Sequence, residues 1–130
     1  MSRKKKRKIY ECIEYLSVAA PLEKVDYLED KQSKYIREYA KNKEYRIVGT
    51  KRRHGFSQND VNRQWGQIVT MIRKKQIDGV VIANMKSVAK DIPDAFYKIG
   101  QIIDAGGIIV TVDEGRLEMK VGRFNDEENI

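Results

Sequence analysis

The chain has 130 residues, 26 Lys+Arg against 19 Asp+Glu, a formal net charge of +7 and 41% hydrophobic residues, a composition that fits a single domain with one buried core. No run approaches the ~18 consecutive apolar residues of a membrane span, and the basic start lacks the apolar segment of a secretory signal. One cysteine, Cys12, and one histidine, His54, exclude an intrachain disulfide, a multi-cysteine zinc site and a His-rich metal centre, so no metal is expected and the compartment is read as reducing and cytoplasmic.

The charge is concentrated at the start. Arg3, Lys4, Lys5, Lys6, Arg7 and Lys8 form an unbroken run, and without it 20 basic residues face 19 acidic ones, leaving +1. Such a run either binds phosphates through counterion release or is a solvated or targeting end. Residues 1–8 are therefore set apart as a basic arm, 9–122 as the domain and 123–130 as a polar, acidic tail.

Along the domain, strand-like and helix-like patterns alternate. Residues 9–18 are rich in β-branched and aromatic side chains and predict a strand. Residues 19–28 have no clear pattern, and Pro21 marks a break. A helix is predicted over about 29–43, with Ile36, Tyr39 and Ala40 on one side. Tyr45–Gly49 predicts a second strand, and the polar stretch 51–59 a loop. Over 60–75, Val61, Trp65, Ile68, Val69 and Ile72 recur at helical spacing and make one apolar stripe, with Asn59 or Asp60 as N-cap and Trp65 as a core anchor. The continuous apolar run 79–83 predicts a parallel strand buried on both faces. A further helix spans about 92–104, opened by Pro93 and ended by Gly106 and Gly107. Residues 108–112 predict another buried strand, and 116–122 a weaker one. Cys12, inside the first strand, is expected to be buried and inert, and His54 to be a surface loop residue.

This alternation predicts an α/β fold in three layers, a mostly parallel central sheet of four or five strands with helices on both faces. Ligands in such sheets gather at the carboxyl ends of the strands, here residues 17–24, 50–59, 84–91 and 113–116. Neither GxGxxG after the first strand nor GxxxxGK[ST] occurs, so no nucleotide cofactor is expected.

At those strand ends the sequence resembles the serine recombinases of the resolvase–invertase family. Tyr15-Leu16-Ser17-Val18-Ala19-Ala20 is similar to the family's Tyr-x-Arg-Val-Ser-Thr motif. Gln32 and Tyr39-Ala40 fit its first helix, and Tyr45-Arg46-Ile47-Val48-Gly49 its second strand. The segment from Lys75 to Ile82 and the Ala105–Val110 turn also fit. Ala83–Asp91 falls where the family carries a motif like Tyr-Lys-Leu-Asp-Arg-Leu-Ser-Arg-Asn. The likeness covers about residues 9–113 and implies a resolvase-like fold.

The chemistry that the resemblance implies is DNA strand cleavage by a serine hydroxyl, with arginines around the scissile phosphate. A weak nucleophile needs activation, and charge building on the phosphoryl oxygens needs preorganised cationic donors. This chain departs from the motif at the serine and at least three supporting polar positions. The nucleophile position is Ala19 and the arginine two residues earlier is Ser17. The later Asp and two Arg positions are Lys86, Ser87 and Lys90. Another family arginine aligns at Asn62 or Arg63. A methyl group cannot attack phosphorus, so the expected state is catalytically degenerate. What is expected to survive is weak, largely nonspecific DNA contact by the arm and by Lys51, Arg52, Arg53, Lys86 and Lys90, with Lys24 nearby. Expected partners are DNA, a second copy of the chain or an intact recombinase, and no membrane. Two alternatives compete. In one, Ser17 is a displaced nucleophile in a DNA-nicking enzyme, although one strand repeat sets it back about 6–7 Å in chemistry where about 1 Å costs a hundredfold. In the other, the domain binds only protein.

Overall fold

A computed structural model describes residues 8–55 and 57–119; of the expected arm only Lys8 falls within that range, and the expected tail lies outside it. The elements are β1 (Tyr10–Leu16), α1 (Leu22–Ala40), β2 (Tyr45–Arg52), α2 (Gln58–Arg73), β3 (Gly79–Ile82), a 3₁₀ turn (Met85–Ser87), α3 (Ile92–Asp104), β4 (Ile108–Thr111) and β5 (Gly115–Leu117). The sheet order is β2-β1-β3-β4-β5. The first four strands are parallel and β5 is antiparallel to β4. The expected mixed α/β, mostly parallel architecture is therefore the observed one.

Strand alternation divides the interior into two layers. Ile13 and Tyr15 of β1, Val80 and Ile82 of β3 and Ile109 of β4 point toward α2 and α3, where they meet Val61, Trp65, Ile68, Ile72, Ile99 and Ile102. Cys12, Leu16, Val81 and Val110 point the other way, toward Ile36 and Ala40 of α1. Trp65 is fully buried, lies edge-on to Tyr15 with ring centroids 6.2 Å apart, and its indole N–H donates to the Lys98 carbonyl at 3.2 Å. Burying the ring leaves its one polar atom satisfied.

Local chemistry sets the boundaries. Ser57 and Asp60 form a reciprocal capping box at the start of α2, which satisfies two of its orphan N–H groups. Asp91 caps α3 through the Asp94 N–H, with Pro93 in its first turn. Gly106, at φ +91°, follows the end of α3 in the left-handed backbone that glycine adopts without a Cβ clash. Gly79 is required for a different reason: a Cβ there would lie 2.2 Å from the Ile108 carbonyl oxygen on the neighbouring strand.

The N-cap of α2 is Ser57 in place of Asn59 or Asp60, and β5 ends at Leu117 where a strand over 116–122 was expected; three further differences bear on the site. Helix α1 starts at Leu22, directly after Pro21, and takes in the stretch that had no readable pattern. Its inward positions include the buried Glu29, so the apolar stripe is broken. Strand β2 runs on through Arg52 because Thr50, Lys51 and Arg52 pair with Glu14, Tyr15 and Leu16 of β1. The register slips between Cys12 and Ile13 so that Val48 is passed over, a bulge that leaves Val48 exposed. Strand β1 stops at Leu16, so Ser17 and Ala19 lie beyond the strand, and the strand-repeat distance expected between them does not apply.

Candidate nucleic-acid interface at the strand ends

The carboxyl ends of β1, β3 and β4 are joined by one run of hydrogen bonds. Gln32 of α1 clamps the backbone just past β1: the Ser17 N–H donates to Gln32 Oε1 at 2.7 Å, and Gln32 Nε2 donates to the Ser17 carbonyl at 2.9 Å. Ser17 is only 1% exposed. Its hydroxyl donates to the Ser87 carbonyl at 2.5 Å and accepts from Arg53 Nη1 at 3.3 Å. Ser87 in turn belongs to a turn built by Asn84, whose Oδ1 accepts the Ser87 N–H at 3.0 Å and whose carbonyl accepts the Ser87 hydroxyl at 2.7 Å. Asn84 Nδ2 then donates to Asp113 at 2.9 Å, and the Tyr35 hydroxyl donates to the other Asp113 oxygen at 2.5 Å.

These bonds occupy both serine hydroxyls. Each hydroxyl donates to a backbone carbonyl, a group that accepts a hydrogen bond and takes no proton. Among the described residues, neither hydroxyl donates to a side chain that could serve as its base. Ala19, which the resemblance sets at the nucleophile position, is exposed. His54 stands elsewhere, with Nδ1 3.1 Å from an Asp26 oxygen and its backbone N–H donating to Glu29 at 2.8 Å. Asp26, Glu29 and His54 bring ligand-type atoms within 4.8 Å of one another, and Glu29 also faces Arg52 at 3.5 Å.

The cations expected here part company. Arg52 turns toward α1 and binds Asp30 at 2.6 Å. Lys51 donates to Gln67 of α2 at 3.0 Å. Their opposite directions follow from their adjacent places on a strand. Arg53, past the end of β2, is the member of the triplet that reaches Ser17. Lys86 and Lys90 are exposed and line a cavity of about 240 Å³ with Met85, Ala89, Ile92 and Glu114. Lys24 is exposed in the first turn of α1. Arg63 pairs with Asp60 at 2.7 Å, whereas Asn62 accepts from the buried Lys98 ammonium at 2.7 Å. Of the residues at the family's positions, Ser17 and Ser87 are brought together. Arg3, Lys4, Lys5, Lys6 and Arg7 lie outside the described residues.

Tyr35, Asn84 and Asp113 complete the run without having been anticipated from the sequence. Asn84 and Asp113 stand just past two predicted strands, which was the available signal. The Tyr35 and Asn84 hydrogen bonds hold the Asp113 carboxyl below the usual carboxylate range, and the same bond to Asp113 raises the Tyr35 hydroxyl. Cys12 is buried as expected, and burial pushes its thiol up to about 12, the behaviour of an inert interior cysteine.

A mostly parallel α/β domain with polar residues gathered past the strand ends is the class that this arrangement defines. No protein-family model and no curated protein matches the chain. Solved structures do. A resolvase family site-specific recombinase from Streptococcus pneumoniae is similar with a TM-score of 0.69 at 19% identity, over 94% of this chain and 85% of that one. The N-terminal catalytic domain of TP901-1 integrase is similar with a TM-score of 0.64 at 16% identity, over 81% and 79%. The C-terminal catalytic domain of ISC1926 TnpA, an IS607-like serine recombinase, is similar with a TM-score of 0.61 at 15% identity, over 92% and 76%. The chain therefore has the fold of serine recombinase catalytic domains. Among the described residues, no helix is long and apolar enough to cross a membrane.

Proposed function

We propose that this chain is a serine-recombinase-like domain that has lost strand cleavage and serves DNA recombination, in the cytoplasm, as a DNA-contacting accessory or regulatory module of a mobile element. The observation that carries this is the state of Ser17: buried, its hydroxyl donated to a carbonyl and capped by Arg53, two residues before an alanine at the nucleophile position. Arg53, Lys86 and Lys90 supply cations that neutralise phosphate without cutting it, and the residues 1–8 arm adds to them. Residues 9–122 form the working domain and 123–130 a tail. On α3, Ile92, Phe96 and Tyr97 are exposed, an apolar patch that suits association with a second recombinase-fold domain.

Incubation with supercoiled plasmid tests the loss of cleavage. Intact supercoils and no protein–DNA covalent adduct are expected. An adduct that disappears in Ser17→Ala would overturn the proposal in favour of a displaced nucleophile. The DNA contact is tested by retention on DNA as a function of salt. Retention absent at low salt would leave a protein-binding role instead.

A further inference from the structure

The opposite end of the sheet carries a basic cleft that the strand-end site does not use. It lies between the last turn of α1 and the start of β2, has a volume of about 350 Å³, and is lined by Ile9, Arg37, Lys41, Lys43, Arg46 and Ile47, with Ala40 and Tyr45. Four of its eight lining residues are cationic and none is acidic.

The cations are not equally committed. Arg37 is tied to the buried Glu14 at 2.9 Å. Arg46 meets Glu11 at 3.3 Å, but both side chains are at least half exposed, and such a pair is worth little against a phosphate. Lys41 is exposed, and Lys43 lies 4.7 Å from the centre of the Tyr39 ring. The C-terminus of α1 contributes only about half a negative charge, less than these side chains supply. Ile9 lines the cleft and directly follows the run Arg3–Lys8 in sequence. Lys8, the described end of that run, is exposed beside Tyr10 with its ammonium 5.2 Å from the ring centre. Lys8 thus adds a further exposed cation next to Ile9 at the cleft's edge. Cations around an apolar floor match the chemistry of a sugar–phosphate backbone, in which charged phosphates alternate with apolar sugar faces.

We propose that this amino-end cleft is a contact site for the phosphodiester backbone of nucleic acid. It rests on the DNA-contacting role proposed above and adds to the strand-end cations a second binding surface about 20 Å away, the length of a seven-residue strand.

The test uses the full chain, a labelled DNA duplex and anisotropy titrations over a range of salt. Lys41→Gln/Lys43→Gln/Arg46→Gln is expected to weaken binding about tenfold or more and to flatten the log–log salt slope by about two to three, one for each phosphate no longer neutralised. Lys41→Glu/Lys43→Glu, at two exposed positions, should weaken it further, with an unchanged circular dichroism spectrum. Lys86→Gln/Lys90→Gln is measured beside them, and the effects at the two separate sites should add. Wild-type affinity in both cleft variants would overturn the cleft site. If the Lys86/Lys90 variant were weakened in that case, the strand-end surface would stand alone. If wild type failed to bind DNA at all, both would fall. Vesicles containing phosphatidylserine are the control. Binding to them as tight as to DNA and equally sensitive to the cleft substitutions would overturn the assignment to nucleic acid.

Discussion

The two faces of the sheet are built on different principles. The face toward α2 and α3 is a continuous apolar layer from Ile13 to Ile109, with Trp65 among its largest members. The face toward α1 is smaller and has a carboxylate at its centre. Glu14, 1% exposed, takes hydrogen bonds from Ser33 at 2.8 Å, Thr50 at 2.8 Å and Arg37 at 2.9 Å. Glu29 is likewise buried on α1, held by Arg52 and the His54 N–H. One face is held by area removed from water. The other is held by satisfying groups that would be costly if left unpaired. The strand ends inherit this difference, because the residues that organise them, Gln32 and Tyr35, come from the polar helix.

Removing the anchor of the apolar face is the largest test of that contrast. Trp65→Ala deletes a fully buried ring and leaves a cavity between β1, α2 and α3. A loss of about 3–5 kcal/mol in unfolding free energy is expected. Chemical denaturation measures it. A loss under about 1 kcal/mol would show that this layer repacks freely and that the two faces are less different than their composition.

On the polar face, Glu14→Ala leaves Ser33, Thr50 and Arg37 without their common acceptor. Breaking a fully buried pair costs about 3–5 kcal/mol. Arg37 is 51% exposed and can turn to water, so about 2–3 kcal/mol is expected here. Glu14→Gln keeps an acceptor oxygen and should recover part of the loss. Equal destabilisation by both variants would mean that the charge, and not the hydrogen-bonding shape, holds α1 to the sheet.

The same contrast explains which parts of the fold were legible in the sequence. Helix α2, helix α3 and strands β3 and β4 serve the apolar layer or the sheet centre, and their periodicity gives them within two residues. Helix α1 shows only its second half, because Glu29 falls on its inner side while Leu22 and Tyr27 are exposed. Lys51 and Arg52 at the end of β2 are polar and looked like loop, yet they pair with β1. Of the site, the alanine and serines at motif positions were legible through the resemblance. The Arg53–Ser17–Ser87 linkage was not, since it joins residues 36 and 70 apart in sequence and no local pattern encodes such a distance. The divergence of Lys51, Arg52 and Arg53 follows from β2 being longer than its hydrophobicity suggests.

The smallest expected effect lies at the rim of the polar face, where Tyr35 and Asn84 hold Asp113. The folded-state carboxyl titrates below its ordinary value. Its contribution to stability is therefore complete above about pH 3.9, the unfolded-state value, and is lost as pH falls through the depressed folded value. Tyr35 is raised by the same bond, so its part is complete below about pH 10 and is lost as pH rises through the higher folded value. Between those limits the pair acts at full strength. Its exposed position leaves it open to screening by salt. Tyr35→Phe removes one of the two donors, so the Asp113 carboxyl should move up part of the way while Asn84 still holds it. NMR titration of the side-chain carboxyl carbons reads this directly. An Asp113 titration identical in wild type and Tyr35→Phe would mean that the hydroxyl does not hold the carboxylate, and that α1 reaches the strand ends through the Gln32 clamp alone.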